Sequence, residues 1–516
     1  MRLFIALVVA ALSGFIALSY EILWIRVYSF ATEGAPQSFG FLLSAYLTGL
    51  ALGALFARSY CQRTDATDEA DPLFFVGLFF LVGNIAAFLV VPLAADLVGT
   101  RELEPEQLLP VFAFAAAGLG TGFPLLSHYA IPPDRSAGTR LSYLYVANIA
   151  GSTIGSLATG LWLLDALPLR LVSLGLVLVG TAMSCLLMAV SSKASRLRGA
   201  VTATYALIAV GVLWSSPTLY HALYERLMYQ GFYDAEGLFA HTVENRSGVV
   251  NVTASGTVYG GGAYDGQMNI NPRPTEDPNR VLRAYMIPGF HPAPRDILMI
   301  GLGSGSWLEV LSNLDAVRSI TVVEINDGYV EIIRRTPLVA PSVDHPKVDI
   351  VIDDGRRYLN HTTRKFDLII QNTIVYWRAY AASLLSQEYL ELSGHHLNPG
   401  GMIYLNSTQS TAVQKTVATV FPHALRYQNM MIAGFEPITW NPDRWRTAML
   451  AWTIQGEPVI DPVRDAGVLD GILAETSWRD GPTWEERDQI LTRSLNETVI
   501  TDDNMATEWW AFDTYP

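Results

Sequence analysis

The sequence predicts a chain in two parts: a multi-pass α-helical membrane domain, then a small β-domain leading into an α/β domain built on a parallel sheet. Three observations predict it. Most of the first 216 residues fall into long apolar segments. From about residue 293, short apolar runs that end in polar residues alternate with helical sequence, the pattern of a doubly wound sheet. The composition is also lopsided, with 50% hydrophobic but only 16% charged residues, against about 25% charged in ordinary soluble domains.

The apolar segments each approach the roughly 20 residues that cross a hydrocarbon core. They predict seven spans, at about 3–28, 38–57, 73–98, 107–130, 140–164, 168–191 and 199–215. The first runs through Tyr20-Glu21-Ile22-Leu23-Trp24 with no small-residue cleavage site and is expected to be retained. Glycines inside the spans (Gly49, Gly53, Gly118, Gly120, Gly122, Gly151, Gly155, Gly160) predict closely packed helices rather than a transport path. Glu21 is the exception, a carboxylate in an apolar span: a functional or Arg26-paired group on one reading, an interfacial snorkelling group on the other.

Loop charges predict sidedness. Arg2, Arg58, Arg63, Arg135, Arg140, Lys193, Arg196 and Arg198 fall at the N-terminus and even loops, and Arg26, Arg101 and Arg170 in the odd ones. The first group should face the cytosol. Seven spans then place the C-terminal part outside it; a re-entrant 107–130 would make the count even and reverse this.

Residues 216–240 read as an amphipathic, aromatic connector, which with a small β-domain at 240–292 makes one region, 216–292. The α/β sheet occupies 293–455 and a tail 456–516. The sheet opens with Asp296-Ile297-Leu298-Met299-Ile300, then Gly301-Leu302-Gly303-Ser304-Gly305, then helical Trp307–Leu311. Glycines at such a bend let the backbone approach a ligand with no Cβ in the way. A second strand ends at Glu324, about twenty residues beyond the glycines, where such folds bind ribose hydroxyls. A third ends at Asp353-Asp354, a fourth at Gln371-Asn372, and Pro399-Gly400-Gly401 turns into a fifth at Met402–Leu405. The tail, with Trp478, Trp484, Trp509 and Trp510 among acids, reads as a cap over the sheet, or else as an aromatic, acidic wall for a cation.

Over about 240–455 this order resembles the spermidine synthase (polyamine aminopropyltransferase) family, within the S-adenosylmethionine-dependent methyltransferase-like, Rossmann-like fold. Ser247–Val252 and the Asp265-Gly266-Gln267 turn are similar to that family's small N-terminal β-domain. The resemblance implies an S-adenosylmethionine-binding domain, with that nucleoside or its decarboxylated form as co-substrate. It places Gly301, Gly303 and Gly305 around the methionine-like portion, Glu324 on the ribose, Asp353 and Asp354 near the adenine, and Asp265 and Gln267 beside the sulfonium. Carboxylates suit a site whose substrates are cations. Glu324 and Asp354 could equally cap the following helices, and Asp265 could shape a turn.

The sequence departs from that family at the end of the fourth strand. The family carries acids in an Asp-Ser-Ser-Asp-Pro-like run, whereas this chain reads Gln371-Asn372-Thr373-Ile374-Val375-Tyr376. An amide accepts hydrogen bonds but is no general base near neutral pH. Either Asp265, Tyr376 or Asp367 takes the role, or the substrate differs, or only binding survives. A membrane half favours a lipid-linked or membrane-embedded acceptor, or something being exported, over a soluble polyamine, with sulfonium-driven cyclisation or methyl transfer as chemical alternatives and a transporter whose soluble domain senses a small ligand as a rival reading.

Net charge of −14 argues against a nucleic-acid partner. Cys61 and Cys185 make neither a disulfide framework nor a thiolate site, and nine scattered histidines lack His-Glu-x-x-His spacing, so no metal is expected. The expected partners are a small-molecule or lipid-linked amine, membrane lipids and, as soluble relatives pair, a second copy. The expected location is a bacterial inner membrane.

Overall fold

The computed structural model describes residues 2–64, 72–101, 103–190, 198–233, 238–372, 376–465, 467–474, 477–478, 481–482, 484–506 and 508. Thr373, Ile374, Val375, Lys193, Arg196, Trp509 and Trp510 lie outside the described residues. The chain divides into two compact units, residues 1–238 with 244–249, and residues 239–243 with 250–516.

In the first unit, six helices among the described residues are long and apolar enough to cross a membrane: Leu3–Ala31, Gln37–Gln62, Leu73–Arg101, Pro105–Ala130, Leu169–Val190 and Gly199–Leu219. The segment 107–130, which a re-entrant course would have removed from the count, is among them, as two short helices, Leu109–Gly120 and Gly122–Ala130, broken at Thr121. The segment 140–164 is the one left out. It is helical (Ala137–Ala158, continuing through a wider turn at Thr159–Leu163), but Ser142, Asn148, Ser152, Thr153 and Ser156 dilute its hydropathy.

Packing shows where some of those polar groups go. Asn148 donates to the carbonyl of Ala10 at 3.1 Å, Ser19 donates to that of Gly155 at 3.3 Å, and Thr159 donates to Ser19 at 2.8 Å. Residue numbers rise together along both partners, so Ala137–Ala158 runs parallel to Arg2–Ala31. Its outer side exposes Tyr145, Val146, Ile154, Leu161 and Trp162. Ser142 and Thr153 are exposed but their hydroxyls donate to carbonyls of their own helix, so the outer side is mostly apolar and suits an apolar surround.

Gly151 is where these two helices come closest. A Cβ there would sit 1.8 Å from the Ala11 carbonyl oxygen, and one on Gly155 would sit 2.4 Å from that of Phe15. Gly49 and Gly53 likewise meet the carbonyls of Ala113 and Ala117. Arg26 donates to the carbonyls of Asn245 and Arg246, at 2.6 and 3.3 Å, rather than to Glu21, which is buried.

The second unit starts with a four-stranded sheet in the order β1 (Phe239–Asn245), β2 (Gly248–Thr253), β3 (Thr257–Gly260), β4 (Ala263–Gln267). The main sheet has eight strands. Its parallel part runs β7 (Val348–Ile352), β6 (Ser319–Glu324), β5 (Asp296–Ile300), β8 (Phe366–Gln371), β9 (Leu397–Asn406). Two antiparallel strands, β10 (His423–Tyr427) and β11 (Met430–Gly434), follow β9, and Trp484–Glu486 pairs with β10 at the edge. The tail therefore contributes a strand to the sheet, where the sequence predicts a cap over it or an aromatic, acidic wall for a cation.

Alternate residues of each parallel strand enter opposite cores. Ile297, Met299, Ile320, Val322, Leu368 and Ile370 pack on one face; Leu298, Ile300, Val323, Ile369, Ile403 and Leu405 pack on the other. Burial on both faces is why these strands read as unbroken apolar runs. Strand order reverses between β5 and β8, so the carboxyl ends of these two strands frame the crevice where such sheets take ligands. This is the Rossmann-like, methyltransferase-type architecture.

The close approach of the first helix pair carries a test. Gly151→Ala should destabilise the first unit by about 1–3 kcal/mol through overpacking and lower the melting temperature of the detergent-solubilised chain. Gly175→Ala, where an added Cβ meets nothing within 4 Å, should not.

Candidate active site

The bend after β5 is built as its glycines require. Gly301, Gly303 and Gly305 hold φ of 83°, 54° and 74°, values that a side chain would make costly. The Gly301 N–H donates to the Val323 carbonyl at 2.9 Å, and the Gly305 N–H to that of Leu302 at 3.0 Å. From the far side, Glu324 at the end of β6 accepts from the N–H of Leu302 at 2.7 Å and of Asn326 at 2.9 Å. Burial pushes the Glu324 carboxyl up to about 7; its backbone N–H partners pull it down and the charge of Asp265 adds to the rise.

The strand carrying Asp265-Gly266-Gln267 closes over this bend. Ser306 donates to the Gln267 carbonyl at 3.0 Å and accepts from the Asn269 N–H at 2.9 Å. A Cβ on Gly266, whose φ is 121°, would press on Asn279 and Ser304. The resulting crevice, about 20 Å³, is lined by Asp265, Asn279, Gly301, Leu302, Ser304 and Trp307, and is floored by Met299, Ile370 and Asn372.

Asp265 is the acid of this crevice. Its side chain is 2% exposed; Arg378 donates to it at 3.1 Å and the Tyr329 hydroxyl donates to its other oxygen. Burial raises its carboxyl above the ordinary range, with Arg378 and Tyr329 acting in the opposite direction. Trp307 supplies a waiting donor, a buried indole N–H with no hydrogen-bond partner among the described residues.

The other expected residues stand as follows. Asn372 lies in the crevice floor and accepts from Asn406 Nδ2 at 3.3 Å. Glu324 and Asp354 are not part of the lining. Asp354 caps the helix Gly355–His361, accepting from the Arg357 N–H at 2.7 Å, which is the capping alternative. Asp353 accepts from Arg357 at 2.8 Å. Gln267 turns its amide to the Ser255 carbonyl, 3.3 Å away. Tyr376 packs edge-on against Trp377, with ring centroids 5.0 Å apart. Asp367 accepts from the N–H groups of Arg295 and Asp296, a structural role.

In the tail, Glu485 pairs with Arg426 and Arg493, and Asp502 with Arg356. Trp484 stacks on Tyr427 at 4.5 Å. Those acids are committed to cations of the chain itself. Sequence reasoning missed Arg378 and Tyr329. Neither belongs to a recognisable motif, and both reach Asp265 only through the fold.

Fold and site together define a doubly wound α/β domain with an acid at its switch-point crevice. More particularly, residues 285–433 match the spermine/spermidine synthase domain. The chain is 34% identical over 114 residues to spermidine synthase of Dictyostelium discoideum, covering 22% of this chain and 40% of that protein. It is 36% identical over 114 residues to polyamine aminopropyltransferase of Escherichia fergusonii, covering 22% and 39%. The chain thus spans about two fifths of the length of these curated relatives. Among solved structures, spermidine synthase in complex with the transition-state analogue AdoDATO aligns at TM-score 0.34 and 17% identity, covering 45% of this chain and 89% of that one. Human methyltransferase-like protein 13 in complex with SAH aligns at 0.26 and 16%, covering 39% and 92%.

The raised Glu324 carboxyl links stability to pH. In the unfolded chain it titrates near its ordinary 4.5, and in the fold near about 7. Between these values the folded state holds the extra proton. Its stabilising contribution, roughly 3 kcal/mol at most, is complete below about pH 4.5 and is lost as pH rises through 7. Glu324→Gln should flatten that part of the melting-temperature profile between pH 5 and 8; an unchanged slope would mean that Glu324 is not the group responsible.

Proposed function

We propose that the chain is a membrane-integrated alkyltransferase of the aminopropyltransferase type. Its second unit would bind S-adenosylmethionine or the decarboxylated form at the carboxyl ends of β5 and β8, and pass an alkyl group from the sulfonium to an amine, soluble or lipid-linked. The observation that carries this reading is the left-handed glycine bend, braced by Glu324 and facing the buried Asp265 across the crevice. The buried Trp307 N–H, without a hydrogen-bond partner among the described residues, fits a nucleoside laid along the bend.

The chemistry is a displacement. The amine lone pair forms a bond to the carbon on the sulfonium, the C–S electron pair returns to sulfur as a neutral thioether, and the amine gives up a proton. Asp265 is the acceptor for that proton, since Asn372 has no basic group and burial already favours the protonated form of Asp265. Positioning supplies the rest of the acceleration. A nucleoside needs a pocket on the order of 300 Å³, so binding requires Arg378 to leave Asp265 and open the crevice.

A second reading, a binding protein with no transferase activity, is favoured by the Asp265–Arg378 ion pair and by the amide at 372. The two separate on activity. Methylthioadenosine should bind the solubilised chain on either reading. Asp265→Asn should then lower product formation by about 100-fold or more while leaving nucleoside binding in place. Nucleoside binding without turnover in the unaltered chain selects the binding reading.

The six apolar helices, with Ala137–Ala158 running parallel to the first, fit a bilayer-embedded first unit, in keeping with a bacterial inner membrane. Sulfonium nucleosides are made in the cytosol, so the reading requires the second unit to face it. A cysteine at Val463, which is 88% exposed, in a chain lacking Cys61 and Cys185, should resist an impermeant maleimide in intact cells and react after permeabilisation. Labelling in intact cells would rule out a cytosolic donor.

A further inference from the structure

We propose that the cavity beside the crevice, walled by Arg280, Arg283, Arg426 and Arg493, binds an oxyanion, so that the acceptor is an amine bearing a phosphate or carboxylate group rather than a polycation. The inference rests on the transferase reading and names the acceptor class for it.

The cavity encloses about 570 Å³, an order of size that suits a small molecule. It shares Asn279 with the crevice, and its wall residue Tyr264 precedes Asp265. Among the described residues four guanidinium groups and one carboxylate, Glu485, line it. Glu485 is spoken for, accepting from Arg426 at 2.6 Å and from Arg493 at 3.0 Å.

Arg283 is 5% exposed, and its hydrogen bonds go to neutral groups. It donates to Asn429 Oδ1 at 2.9 Å, to the Asn279 carbonyl at 2.9 Å and to the Arg280 carbonyl at 3.0 Å. The nearby Asp277 carboxylate acts on it through space but spends its oxygens on the N–H groups of Val281 and Leu282, and a buried guanidinium whose hydrogen bonds go to neutral groups is costly until an anion joins it directly. Its planar fork matches phosphate and carboxylate oxygens.

A chain of amides ties this cation to the crevice. Asn429 receives from Arg283 and donates to Asn406 Oδ1 at 2.9 Å, and Asn406 donates to Asn372 Oδ1 at 3.3 Å. The wall is held by unusual backbone, with Arg280, Gln409 and Gln428 at φ of 57°, 67° and 54°. A polyamine entering here would meet charge of its own sign. An amine carrying an oxyanion would place the anion on the arginines and its nitrogen toward Asp265.

Calorimetry on the full chain in detergent tests this with O-phosphoethanolamine, inorganic phosphate and putrescine as probes, and methylthioadenosine titrated in parallel. Both phosphate compounds should bind and putrescine should not. Arg283→Gln should abolish phosphate binding. Should that buried substitution prevent folding, Arg280→Gln, at a half-buried position, should weaken it at least tenfold with methylthioadenosine binding unchanged.

Competition against bound phosphate by O-phosphoethanolamine, or by nanodiscs of phosphatidylethanolamine, upholds the proposal and says whether the anion is soluble or a lipid headgroup. Silence from phosphate in a chain that binds methylthioadenosine overturns the anion site alone, as does putrescine binding that phosphate leaves untouched. Loss of methylthioadenosine binding in the unaltered chain removes the transferase reading beneath it.

Discussion

One buried carboxyl group fixes the bend on which the second unit's crevice is built. Glu324 ends β6, yet both of its oxygens are used by backbone N–H groups, one in the bend after β5 and one at the start of the next helical segment. A carboxylate so removed from water is costly unless its lone pairs are taken up. The backbone answers that cost, and in return the bend is fixed against its neighbouring strand. The left-handed glycines are then held open toward Asp265 instead of collapsing onto β6.

The parallel strands were legible because the physics that forms them is written locally. Burial on both faces demands an apolar run, and the polar residue ending each run marks where the sheet meets solvent. The antiparallel additions were not legible in the same way. The hairpin of β10 and β11 turns on Gln428, an unconventional left-handed residue, rather than on Asn-Gly or Asp-Gly. The edge strand at Trp484–Glu486 is three residues long and surrounded by acids, so nothing in its sequence distinguishes it from a loop. Site residues divide along the same line. Asp265 and the three glycines belong to short motifs, whereas Arg378, Tyr329 and the four cavity arginines converge from distant segments with no spacing to give them away.

The first unit shows the limit of averaged hydropathy. Ala137–Ala158 carries polar side chains that a window average counts against it, but Asn148 bonds to the Ala10 carbonyl and the Ser13 hydroxyl of the helix alongside, and Thr159 just beyond it bonds to Ser19. What matters to a surrounding apolar phase is the outward face, and that face is apolar. Glycine does complementary work. By letting Gly151 approach the Ala11 carbonyl, it brings Asn148 and Thr159 within bonding distance of Arg2–Ala31. The parallel course of these two helices also bears on topology, since neighbours of this length lying side by side span the same depth.

The amide at 372 and the arginine cavity are best understood together. An acid at 372 would put a second negative charge beside Asp265 and, through Asn406 and Asn429, would end the amide relay on a charge of opposite sign to Arg283. With Asn372 in its place the relay is neutral along its length, and no carboxylate is tied through it to Arg283. Each departure from an acid-lined polyamine cleft therefore moves the electrostatics in one direction, with fewer carboxylates at the crevice and more guanidinium groups beside it.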